Sequence, residues 1–198
     1  MTRTVVTDPN APAVRELVDL QKVSGGLRFD LRYATTNNFM HKRLYPVAKA
    51  YLHHDAAAAL ADVQRELAAK GLGLKVYDAY RPLSVQQQMW DLIHDERYVS
   101  NPAVNAGRHT RGTAVDLTLV DQHGHELPMP TGFDDFTERA HRGAAGIPPD
   151  AAGNAKLLED VMVRHGFIPY PFEWWHFDYR TWKHRSPLDI SLTKLPGA

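Results

Sequence analysis

Two short stretches carry side chains whose types and spacing could hold a metal ion. In HTRGTAVD, His109 stands seven residues before Asp116. Asp116 lies between Val115 and Leu117 in an apolar run, and an ionised carboxylate taken from water there requires a cation or several donors. Gly107 and Gly112 leave the chain around His109 free to swing the imidazole back over the strand. Taken alone, the pair reads first as an ordinary His–Asp hydrogen bond.

The second stretch, EWWHFDY, changes that balance. Glu173 and His176 sit in a strongly aromatic segment, where a carboxylate and an imidazole are poorly placed unless used. There are no cysteines, so a metal would have to be held by His, Asp or Glu. His109, Asp116 and His176 make three such ligands, and three protein ligands with a place left for water is the arrangement of catalytic zinc. Glu173 would then be the base. Residues three apart on a regular strand face opposite sides, so Glu173 and His176 converge only if the backbone bends between them, and Pro171 predicts such a bend. Arg81, an always-charged donor fork fixed by Pro82, is the remaining candidate; its plainer reading is a surface ion pair.

The elements that must position these groups follow from local pattern. Gly26 to Tyr33 reads as a short extended piece. A helix is predicted from about Asp55 to Lys70, capped by Asp55 and ended by a left-handed Gly71. LGLKVYDAYRP alternates as a half-buried strand until Arg81-Pro82 stops it. Ser84 and Gln87 resemble a capping box for a helix through about His94, and Asp95 to Arg108 reads as a loop. In TAVDLTLVDQHGHELPM, Val115, Leu117 and Leu119 share one strand face and Asp116 takes the other, with a hairpin turn at Asp121 to Gly124. Ala151 to His165 forms a second amphipathic helix closed by Gly166, and Phe167 to Tyr179 holds two more extended pieces. Without a regular βαβ rhythm, the pattern predicts an α+β fold with a central, mostly antiparallel sheet flanked by helices.

Composition bounds the rest. With 198 residues the chain is expected to form a single domain, residues 1–20 and 186–198 being peripheral. Its 23 Lys+Arg balance 23 Asp+Glu, so no global field gathers nucleic acid or an anionic membrane. The N-terminus MTRTVVTDPNAPAV has no apolar stretch of signal length, and no run approaches a membrane span, so the chain reads as soluble and cytoplasmic. His53, His54, His123 and His125 read as solvent-exposed, and Trp90 and Trp182 as core.

VYDAYRP, HTRGTAVDLTL and EWWHF, in that order, resemble the D-alanyl-D-alanine dipeptidase family, as do YATTNNF and FDDFTERAHRGAAG. The resemblance implies one Zn²⁺ held by His109, Asp116 and His176, with Glu173 activating water and Arg81 steadying the developing oxyanion. It further implies that Asp134 receives the free amino group of a small dipeptide substrate, with Tyr33 and Tyr45 near it. Where the family often carries serines before the first zinc histidine, to bind the substrate carboxylate, this chain has Gly107 and Arg108, which makes Arg108 a candidate for the same task. Two rival readings remain: a zinc D,D-carboxypeptidase acting on longer cell-wall peptides, and a non-catalytic zinc-binding module such as the related hedgehog signalling domains.

Overall fold

A computed structural model describes residues 4–197. The helices are α1 (Pro12–Arg15), α2 (His54–Ala68), α3 (Leu83–Leu92) and α4 (Pro149–Arg164). The strands are β1 (Leu17–Asp19), β2 (Arg28–Phe29), β3 (Tyr51–His53), β4 (Leu72–Asp78), β5 (Ala114–Asp121), β6 (Phe167–Pro169) and β7 (His176–Tyr179). A five-stranded sheet runs in the order β2-β4-β5-β7-β6 and is antiparallel except for β2 against β4, while β1 and β3 form a separate antiparallel pair. The expected α+β class, with helices flanking a mostly antiparallel sheet, is what the chain adopts.

The Ala/Leu-rich composition of α2 favours helix, and its inward face supplies Ala56, Leu60, Val63 and Leu67 to a core shared with Val115, Leu117 and Leu119 of β5 and Leu158, Val161 and Met162 of α4. Truncating any one of the fully buried leucines to alanine costs about 2–5 kcal/mol. Asp55 is not the N-cap: His53 holds that position, and Asp55 bonds Ala56 N from within the first turn. Gly71 is left-handed, as expected. At α3 the capping box does not form. Pro82 is the N-cap, and the free N–H of Ser84 is met instead by Asp189 from the C-terminal segment at 2.9 Å.

That C-terminal segment corrects a second expectation. Within the described residues the two end segments are not peripheral: Val14 and Leu17 join Leu188, Ile190, Leu192 and Leu195 in a second core beneath α3 and Tyr33, Tyr45, Tyr51 and Tyr80. Gly112 is required here, because a Cβ on it would come within 2.4 Å of Leu17 Cδ2 and its φ is +65°. Among the described residues no helix is long and apolar enough to cross a membrane.

The sheet register does most of the positioning. Asp116 of β5 pairs with Asp78 of β4 on one side and with His176 of β7 on the other, so three strands set these residues in one row. A register shift between Val76 and Asp78 brings Asp78 into that row. β4 therefore ends at Asp78, three residues before the stop expected at Arg81-Pro82.

Candidate active site

The row Asp78, Asp116, His176 lies at the end of the sheet, and two buried carboxylates side by side require positive charge. Asp78 receives it from Arg81, whose Nε and NH2 donate to Asp78 Oδ2 at 3.1 and 2.8 Å. The expected surface ion pair of Arg81 is thus a buried one. Tyr45 donates its hydroxyl to the other oxygen of Asp78 at 2.7 Å, and Gln86 accepts from Arg81 NH1 at 2.8 Å while donating to Ser100 O. Three of the five guanidinium N–H groups are so engaged, which leaves one on each terminal nitrogen.

Asp116 has no such partner. His109, carried on the turn after Arg108, places Nε2 at 3.4 Å from Asp116 Oδ2, and His176 places Nδ1 at 3.0 Å from Asp116 Oδ1. The two ring nitrogens are 3.1 Å apart. The outward nitrogen of each ring is already engaged: His109 Nδ1 donates to Ala79 O at 2.7 Å, and His176 Nε2 donates to Asp178 Oδ1 at 2.9 Å. Those bonds fix the tautomers and turn both lone pairs inward. Asp116 Oδ1, buried, consequently has no hydrogen bond. Burial would raise the Asp116 carboxyl, but His109 and His176 hold it well below the usual carboxylate range. Burial disfavours a charged His176, yet Asp178 and Asp116 outweigh it and push its pKa up to about 10, so without a metal a proton on Nδ1 occupies the inward lone pair that a metal would otherwise take. The three groups together call for a cation.

This donor set fits a zinc ion. Ligand atoms around tetrahedral zinc lie about 3.3 Å apart for bonds of about 2.0–2.1 Å. Here the two inward nitrogens are 3.1 Å apart, and each faces an oxygen of Asp116, His176 Nδ1 at 3.0 Å from Oδ1 and His109 Nε2 at 3.4 Å from Oδ2. His176 further carries the carboxylate partner that zinc-binding histidines usually have.

Glu173 occupies the bend expected of it, in the turn after Pro171 and before β7, with Oε2 at 3.7 Å from His176 Nδ1. Burial pushes its carboxyl well above the usual range, opposed by His176 and reinforced by Asp116 and Asp134. Across the same recess Tyr33 donates to Asp134 Oδ1 at 3.0 Å, and Asp134 Oδ2 is buried without a partner. Asp134 has a φ of +61°, a strained conformation for a residue with a side chain, of the kind that collects at functional sites. Burial pushes its pKa up to about 7, against the opposing Tyr33 hydrogen bond.

Arg81, His109, Asp116, Asp134, Glu173, His176, Tyr33 and Arg108 all line this one recess. Together they form a small, largely polar recess that opens to solvent. Tyr45 is not among the lining residues, since its hydroxyl serves Asp78 behind Arg81. Arg108 lies 3.3 Å from Asp178 Oδ2 and stacks on Trp182, 4.8 Å from the ring centroid. Trp182 is accordingly half-buried rather than core, and so is Trp90.

Sequence reasoning missed Asp78, Gln86 and Asp178. Asp178 had a usable signal, two residues after His176 on a strand and therefore on its face. Asp78 stands three residues before Arg81, but only the shifted register shows why the two meet. Of the four histidines expected in solvent, His54, His123 and His125 are exposed. His53 is buried, because Glu16 and Asp55 take its two ring nitrogens.

An inward-facing His–Asp–His set beside a buried glutamate, at the foot of a small recess, defines a candidate mononuclear metallohydrolase centre. The chain belongs to the D-Ala-D-Ala dipeptidase family, whose model matches residues 13–186. It is 42% identical over 163 residues to the D-alanyl-D-alanine dipeptidase of Escherichia coli, covering 82% of this chain and 84% of that protein. To the D-alanyl-D-alanine dipeptidase of Enterococcus faecalis it is 34% identical over 178 residues, covering 80% and 88%. Among solved structures, the LdcB LD-carboxypeptidase shares the fold, with a TM-score of 0.51 at 19% identity over 93% of this chain and 78% of that one.

Proposed function

We propose that this protein is a zinc-dependent dipeptidase that hydrolyses D-Ala-D-Ala or a closely similar free dipeptide. The observation that carries the reading is the buried Asp116 carboxylate, its Oδ1 orphaned, facing the inward nitrogens of His176 and His109, with Glu173 3.7 Å from the first of them. His109 Nε2, Asp116 and His176 Nδ1 would hold the metal. When bound, zinc supplies Lewis-acid chemistry and lowers the pKa of water to about 7.

The chain's own groups do the rest. Glu173 takes a proton at its carboxylate and returns it to the leaving amine, a task suited to an acid whose pKa burial has raised. Arg81, locked by Asp78 and Gln86, turns its uncommitted donors to the negative charge that grows on the carbonyl oxygen; one such preorganised donor is worth about 3–4 kcal/mol in the transition state. Asp134, oriented by Tyr33, receives the substrate ammonium through Oδ2 and so limits the substrate to a free N-terminus. Arg108 sits on the recess wall as a charge for the substrate carboxylate, although Asp178 already neutralises part of it. Tyr45 supports Arg81 through Asp78 rather than meeting the substrate. A cytoplasmic location belongs to the same reading.

The test is hydrolysis by zinc-loaded protein of D-Ala-D-Ala, L-Ala-L-Ala and N-acetyl-D-Ala-D-Ala. Rapid cleavage of the first alone supports the proposal. Comparable cleavage of the acetylated peptide would make it a carboxypeptidase, and stoichiometric zinc without any cleavage would make it a binding module.

A further inference from the structure

The turn that carries Glu173 is tied down from outside the recess by a side chain with no part in the chemistry above. Arg142 follows the single helical turn Glu138–Ala140, and its side chain is only 13% exposed. Its Nε donates to Tyr170 O at 2.8 Å and its NH2 to His176 O at 2.9 Å. Its backbone N–H donates to Pro171 O at 3.0 Å. Tyr170 and His176 bracket residues 171–175, so one residue grips both ends of the loop in which Glu173 stands. The β6–β7 ladder stops at Pro169 opposite Phe177, just short of that loop. Past it, the bond from Tyr170 N to His176 O at 3.1 Å closes the loop mouth, and Trp174 N bonds Ala140 O at 3.0 Å from the same 138–142 segment.

The guanidinium is itself fixed from two sides. NH1 pairs with Glu159 of α4 at 3.0 Å, and Cζ lies 4.4 Å from the centroid of the Phe177 ring on β7. A planar fork with separate donors can bridge two carbonyls and still hold an ion pair, which the point charge of lysine cannot reproduce.

We propose that Arg142 is a positioning residue: by bridging Tyr170 O and His176 O it sets where the Glu173 carboxylate and the His176 ring stand relative to His109 and Asp116. The inference rests on the reading that Glu173 and His176 serve zinc-dependent hydrolysis.

The experiment compares wild type, Arg142→Lys and Arg142→Gln in zinc-loaded full chain, with kcat and KM on D-Ala-D-Ala, Tm, and zinc affinity by chelator competition. In both variants kcat falls about 10- to 100-fold and zinc affinity about tenfold, as for loss of other groups that orient ligands. KM changes little, because Asp134 and Tyr33 lie on separate segments. Arg142→Lys keeps a charge for Glu159 and so keeps most of Tm without recovering kcat. Unchanged kcat and zinc affinity in folded Arg142→Lys overturn the proposal, and this variant decides alone if Arg142→Gln does not fold. A purely structural role would lower Tm while leaving kcat per folded molecule intact. If wild type cleaves no dipeptide, the functional reading fails instead, and chelator competition still reports on the clamp.

Discussion

Two clusters among the described residues bring a buried histidine against two or more acidic or imidazole groups, and they differ in where the charge is balanced. In the Glu16–His53–Asp55 cluster, both ring nitrogens of the buried His53 face carboxylates, Asp55 at 2.7 Å and Glu16. Arg185 then joins the same two acids, at 3.0 and 3.3 Å. Two acids meet a histidine and an arginine, so that group is closed. In the His109–Asp116–His176 cluster each ring spends one nitrogen on an acceptor outside and turns the other inward, and an oxygen of Asp116 is left over. Among the described residues, closeness of ligand atoms makes His109–Asp116–His176 a candidate metal site and also Glu16–His53–His54, which shares Glu16 and His53 with the first cluster. The outer partners separate them: where they supply the cations the cluster is a structural tie, and where they supply only acceptors it needs an ion.

The sharpest way to break this contrast is in the open cluster. Glu173→Ala is expected to lower kcat about 10³-fold or more while the zinc content, read by atomic absorption, stays at that of wild type. Hydrolysis near the wild-type rate would remove Glu173 from the mechanism. Asp178→Ala frees His176 Nε2 and should weaken zinc binding about 10- to 100-fold in chelator competition; an unchanged affinity would mean that the outward acceptor does not matter. In the closed cluster, His53→Ala should cost about 2 kcal/mol in denaturant unfolding, as for lost hydrogen bonds to charged groups, with zinc content and kcat retained. Loss of zinc from that variant would show the two clusters to be less distinct than their geometry.

The smallest effect concerns pH. Asp134 is neutral below about 7 and charged above it, because burial raises its pKa. If the charged form receives the substrate ammonium, KM falls as pH rises through about 7, and Asp134→Asn loses that limb with a KM about tenfold higher at pH 8. The sign for stability is opposite. The folded carboxyl keeps a proton that the unfolded chain gives up near 3.8, so wild type loses stability relative to Asp134→Asn as pH rises from about 4 to 7. Urea midpoints of the metal-free proteins at pH 5 and pH 8 measure it.

Much of this was legible in the sequence because it depends on neighbours along the chain. The period of α2 and α4, the alternation that puts Asp116 opposite Val115 and Leu117, the turn at Asp121 to Gly124 and the bend at Pro171 are local properties, and the structure keeps them. The candidate ligands were legible for a related reason: a carboxylate in an apolar strand and a histidine among aromatics are costly unless paired. Local pattern failed where a distant segment intervened. Ser84 does not cap α3, because Asp189 reaches it from the far end of the chain. His53 is not exposed, because Glu16 reaches its ring from the N-terminal segment and Arg185, near the other end of the chain, braces Glu16 and Asp55 there.

The sequence by itself determined which groups could bind a metal and which could move a proton, since those are properties of the side chains. Only the tertiary structure decided that Asp78, Asp116 and His176 share a row and that Arg81 is locked by Asp78 and Gln86. It also decided that Tyr45 stands behind the recess and Arg142 beneath the Glu173 turn. Strand register and the outer hydrogen bonds join residues far apart in the chain, and no local spacing encodes such distances.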